Sequence, residues 1–156
     1  MTLIEDMAGI RPGTPLAEAL AARTDILRLS QASHDAVLIP KDPGGLSHGL
    51  RAALAARMAR QNAQFPLAAH YDGLIARSGE IQPDEMAPVE RTRIAAILAH
   101  SDLLTLRPRD ATRGDIEALR AAGVEEPDIV RLAELAAFVN YQARVIRGLQ
   151  ALGGAK

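Results

Sequence analysis

At 156 residues the chain suits one domain, and with 48% hydrophobic and 24% charged residues it has the apolar material for its own core, which excludes a disordered class. Its 18 basic and 19 acidic residues leave a net charge of −1, and it has no Trp, two Phe and two Tyr. It therefore lacks both the basic excess that neutralises phosphates and the rings that stack bases, and nucleic acid is not expected as a partner. No cysteine is present, which removes disulfides, thiolate zinc sites, cysteine-ligated iron–sulfur clusters and thiol nucleophiles from this chain.

Thirty alanines, the strongest helix formers, set against few aromatic residues predict an all-α protein with closely packed helices. Residues 1–13 end in Arg11-Pro12-Gly13 and read as an irregular N-terminal arm, followed by one helical domain over 14–152 and a short tail at 153–156. The arm carries neither a basic nor an apolar leader pattern. The longest apolar runs, Ile94–Ala99 and Leu135–Val139, are too short to span a bilayer, so a cytoplasmic location and no membrane contact are expected.

Thr14 followed by Pro15 predicts a capped helix start, with a break near Thr24-Asp25 before the helix resumes to about Leu38. Pro40 to Gly45 predicts a loop. Its Asp42-Pro43-Gly44-Gly45 lacks the Lys and Ser/Thr of a phosphate loop and reads as a plain turn. Ser47 caps the next expected helix, whose stripe is Leu50, Ala53, Leu54 and Met58, with Arg51 and Arg60 off it. Pro66 is tolerated only near a helix start, so a new helix is expected there, carrying Leu67, His70, Tyr71, Leu74 and Ile75 to Ser78-Gly79.

A second loop is expected over 80–88, then a helix from about Val89 to before Pro108. Thr112 and Asp115 have capping-box spacing, and Gly123 suits the end of the short helix they open. From Pro127 to about Leu152, Ile129, Leu132, Ala133, Ala136, Val139, Ala143, Ile146 and Leu149 recur at helical spacing.

Two segments resemble the carboxymuconolactone decarboxylase and alkylhydroperoxidase D-like superfamily. In Gly45–Ile75, Asn62 precedes Gln64 and Leu67, which occupy the two positions of the family's Cys-x-x-Cys, and His70 occupies its histidine position. In Leu119–Leu149, the Leu-Arg-Ala-Ala-Gly turn at 119–123 and Phe-Val-Asn-Tyr-Gln-Ala-Arg at 138–144 are similar to the family's closing helices, where an Asn and an Arg recur near the active region. The resemblance covers roughly residues 15–152. It implies an alkylhydroperoxidase D-like bundle of about six to eight helices and a homo-oligomer: a dimer, trimer or hexamer, with a cysteine-bearing paralogue as a further candidate partner. Ala52 stands where thiol members carry the glutamate of their proton relay, and both cysteines are replaced, so thiol peroxidase activity is expected to be absent.

His70 is the leading candidate for chemistry, because an imidazole suits proton transfer; a packed histidine bonded to a neighbour is the plainer reading. Tyr71 either positions a substrate oxygen or packs with a satisfied hydroxyl. Asn62, Gln64, Asn140 and Gln142 either bind a polar ligand or crosslink helices, and Asn140 stands out because it falls mid-helix beside an apolar stripe. Arg144, and after it Arg51 and Arg57, could bind a carboxylate. A helix start at Pro66 could likewise hold an anion. His34, His48 and His100 are scattered, with no metal-ligand spacing, and neither metal nor cofactor is expected.

Two functions follow as expectations. One is a non-thiol accessory or small-molecule-binding oligomer in antioxidant or catabolic metabolism. The other is a proton-transfer enzyme, similar to the lactone decarboxylases, with His70 as acid or base. A plain helical bundle is the third alternative.

Overall fold

The computed structural model describes residues 1–78 and 86–154. These residues form an all-α bundle of eight helices: α1 (Leu3–Ala8), α2 (Pro15–Ala21), α3 (Thr24–Leu38), α4 (His48–Gln61), α5 (Phe65–Ser78), α6 (Pro88–Leu106), α7 (Arg113–Ala121) and α8 (Glu126–Gly154). A single 3-10 turn at Pro108–Asp110 joins α6 to α7.

The starts follow local chemistry. The Oγ1 of Thr14 accepts from the N–H of Ala17, with Pro15 at the first helical position. Ser47 Oγ accepts from Leu50 N–H at 3.2 Å, and the Thr112 N–H donates to the Asp115 carboxylate at 2.7 Å. Pro66 lies in the first turn of α5, where its missing N–H costs no helical bond.

Residues 1–13 are not wholly irregular: Thr2 and Glu5 form a capping box over α1, and Ile4 is buried in the common core. At the other end α8 continues to Gly154, so the expected tail begins inside the helix. Most of the loop expected over 80–88 lies outside the described residues.

The long α8 is the spine of the bundle and packs against α1, α3, α4, α6 and α7. Its buried residues include Ile129, Leu132, Leu135, Ala136, Val139, Ala143 and Ile146; Ala133, expected on this stripe, is exposed. The helices α4 and α5 form the most extensive pair, and Ala52, Ala55, Ala56 and Ala59 let them close tightly. Their connection is a Schellman-type turn: Gln64 N–H donates to Ala59 O and Ala63 N–H to Arg60 O, both at 2.9 Å. Ala63 takes the left-handed conformation there, with φ 55°, where glycine is customary.

The 42–46 loop is fastened rather than merely turned. Asp128, buried at the start of α8, accepts from Gly45 N–H at 3.0 Å and from Arg131 at 2.9 Å. A Cβ at Gly45 would lie 2.2 Å from the buried Asp128 carboxylate, so that position has no room for one, and at Gly44 the left-handed backbone (φ 61°) strains any side chain. Arg51 completes the fastening. It was expected off the apolar stripe, yet it is 3% exposed and donates to the carbonyls of Leu46 (2.7 Å), Val37 (2.8 Å) and Pro43 (2.9 Å). A guanidinium can be buried here because carbonyls in a helix's last turn and in a loop need donors, and its planar fork serves three at once.

Candidate functional site

The structure sorts the candidate residues into two polar regions on opposite sides of α8. The first joins α4, α6 and α8. Asn140 Oδ1 accepts from Asn62 Nδ2 at 2.8 Å, while Asn140 Nδ2 donates to Thr105 Oγ1 at 3.2 Å and to Ala136 O at 2.9 Å. Asn62 Nδ2 also donates to Met58 O at 2.8 Å. Both polar atoms of the mid-helix amide are thus bonded within the chain, and they crosslink three helices.

Gln64 is buried at the start of α5, where its amide donates to Gln150 Oε1 at 3.3 Å. Gln150 in turn donates to Met7 O at 3.1 Å. The short α1 and the end of α8 therefore close over the start of α5.

The second region lies where α3, α5 and α8 meet. Tyr71 is fully buried and donates its hydroxyl proton to Gln142 Oε1. Its ring lies beside two imidazoles: His34 on α3, with ring centres 6.0 Å apart and planes 14° from parallel, and His70, with ring centres 5.4 Å apart. The two imidazoles are 5.9 Å apart, and Phe138 closes against His34 from α8. Among the described residues, His34 Nε2 and His70 Nε2 are both buried without a hydrogen-bond partner.

The tautomer of His34 follows from its other nitrogen. Asp35 Oδ1 lies 2.9 Å from His34 Nδ1, and that contact, followed by one to Gln31, holds the Asp35 carboxyl below its usual range against the opposing effect of burial. An ionised carboxylate only accepts, so Nδ1 carries the proton, and in the neutral ring Nε2 presents a lone pair. Burial, then His34 and Arg77, hold the His70 imidazole below its ordinary range, with Asp6 pulling the other way. Burial alone pushes the Tyr71 hydroxyl up, so it stays protonated and acts as a donor.

The arginines do not converge on this region. Arg57 makes a bidentate pair with Asp102, at 2.6 Å and 2.7 Å, and Arg51 is engaged in the loop. Arg144 is exposed on α8. His70, Asn140 and Arg144 therefore do not come together: His70 lies in the second region, Asn140 is bonded in the first, and Arg144 faces outward.

Sequence reasoning missed His34, which had looked like one of several scattered histidines. A signal was present: Leu27, Ser30, His34 and Leu38 share the buried face of α3 at spacings of three and four. Its juxtaposition with His70 depends on the packing of three helices and has no local signature.

Comparison of the chain with protein-family models, with curated proteins and with solved structures returns no match.

Proposed function

We propose that this chain is a cysteine-less relative of the carboxymuconolactone decarboxylase and alkylhydroperoxidase D-like proteins, acting in the cytoplasm as a non-thiol, small-molecule-binding or accessory oligomer linked to antioxidant or catabolic metabolism. One observation carries the binding role: among the described residues the His34 and His70 Nε2 atoms are buried and unbonded, while the neighbouring amides are engaged. A buried polar atom without a partner costs about 1–3 kcal/mol. A ligand that bonds one or both imidazoles recovers that cost, so the class favoured is a small molecule carrying hydroxyl, carboxylic acid or lactam donors. The assembly is a homo-oligomer, and a cysteine-bearing paralogue is the partner that would supply thiols this chain lacks.

The test is histidine-resolved NMR on the full chain, titrated in turn with hydroxy acids, keto acids, lactones and hydroperoxides. Supporting outcomes are saturable shifts at His34 and His70 and their loss in His70→Leu. If every compound leaves both imidazoles unmoved, the binding role is wrong. Peroxide turnover by the pure chain with a dithiol reductant would overturn the non-thiol reading as a whole.

A second reading is favoured by the Asp35–His34 contact. A carboxylate that holds the proton on Nδ1 makes Nε2 a base, and His70 beside it, kept neutral by burial, would be a second base in a proton-transfer reaction. Turnover of a lactone or keto acid whose pH–rate profile changes in both His34→Gln and His70→Gln would establish this enzyme; an unchanged profile would remove it.

A further inference from the structure

The helix α3 is apolar on two faces. Leu27, Ser30, His34 and Leu38 face inward, whereas Ile26 and Leu29 are 53% and 54% exposed and Ser33 and Ala36 continue the exposed line. These four recur at spacings of three, four and three, which is the seam of a helix that packs against another helix. The seam is one wall of an open α3–α8 groove of about 760 Å³, whose other wall includes Ala137, Phe138 and Tyr141. Other exposed apolar side chains, such as Phe65, Val89 and Leu152, sit on separate elements.

The seam is large at one end and small at the other. Reversed about a point level with Gln31, position 29 falls opposite 33 and position 26 opposite 36. Each large side chain then meets a small one: Leu29 on Ser33 and Ile26 on Ala36. A partner of the same sequence running antiparallel supplies this complement without any further adjustment, and a parallel one would stack large on large. We infer that the occupant of this face is a second copy of the chain, α3 against α3, antiparallel about a two-fold axis level with Gln31.

The available area suits a reversible dimer. A 15-residue helix is about 22 Å long, and two adjoining helices are about 20 Å wide, giving a footprint of roughly 450 Å². That is below the roughly 800 Å² per partner of a standard interface, so a weak, concentration-dependent dimer is expected. A lipid surface is a poorer occupant, because Asp25, Arg28, Asp35 and Glu134 put charges of both signs on these helices.

This inference rests on the homo-oligomer reading, and two measurements separate its failure from failure of that reading. Sedimentation of the full chain over a rising concentration series should show a monomer–dimer equilibrium, and Leu29→Glu should weaken it by about 30-fold or more while leaving the helical circular dichroism intact. A monomer at every concentration refutes both the homo-oligomer and this face. An oligomer that Leu29→Glu leaves unchanged refutes this face alone. The cysteine-free background allows the second measurement, oxidation of mixed single variants. A mixture of Leu29→Cys and Ser33→Cys should crosslink between chains faster than either variant alone. Self-crosslinking of each variant at the faster rate would overturn the antiparallel order. Leu29→Glu retains both histidines, so loss of assembly is read independently of ligand shifts at the site.

Discussion

The two polar regions flanking α8 contain similar groups and reach opposite outcomes. In the Asn62–Asn140–Thr105 layer the amides find partners within the chain, and three helices are tied by bonds of 2.8–3.2 Å. In the His34–His70–Tyr71 cluster the hydroxyl is satisfied by Gln142, but two imidazole nitrogens are enclosed among apolar and aromatic neighbours without a partner among the described residues. The contrast separates polar groups that hold a fold together from polar groups a fold must tolerate. Both lie beside the same helix, so burial alone does not distinguish them; the completeness of their hydrogen bonding does.

The strongest way to break this comparison is Asn140→Leu. It strips partners from Asn62 and Thr105 together, and a loss of about 2–3 kcal/mol is expected in chemical denaturation. A loss under about 0.5 kcal/mol would mean that the layer is not structural. Tyr71→Phe removes one donor and leaves Gln142 Oε1 buried, so a loss of about 1–2 kcal/mol is expected in the same assay. The turn between the two regions offers a gain: Ala63→Gly relieves a left-handed alanine and should raise stability by about 0.5–1 kcal/mol, or the melting temperature by about 1–4 °C.

The smallest effect at neutral pH is expected from His70→Leu. Leucine relieves the cost of the bare nitrogen but gives up the ring contacts with Tyr71 and His34, so the net change in stability should stay within about 0.5 kcal/mol, in contrast to Asn140→Leu. The difference should grow in acid. His70 and His100 are both held below the ordinary histidine range, chiefly by burial, so the unfolded chain takes up protons first. Stability of the parent protein therefore falls as pH drops through about 6.5, and His70→Leu should flatten that fall without abolishing it. Thermal melts of both proteins between neutral and acid pH give the comparison; parallel curves would place the acid sensitivity elsewhere.

Much of the fold was legible because its signals are local. Proline and hydroxyl caps set the starts of α2, α4, α5 and α7, and Gly123, with φ 85°, closes α7. The α1 capping box was also written in Thr2-Leu3-Ile4-Glu5, but six residues are too few to show a period, and that helix is held by docking Ile4. Arg51 was misread because its burial depends on carbonyls contributed by residues 37, 43 and 46. Asn140 was legible as an anomaly, though its partners were not. His34 and His70 are 36 positions apart, and only the assembled helices bring their rings together.

A guanidinium keeps its proton throughout the range in which imidazoles gain or lose theirs. The knot that Arg51 ties between the end of α3 and the start of α4 is consequently indifferent to acidity, while the ring contacts one turn away are not. Acidification should loosen the segment from α1 through α3 first, with that knot as its pivot, and leave the α4–α5 hairpin closed. Hydrogen exchange would then record unfolding as a peeling from the amino-terminal side rather than a single collapse.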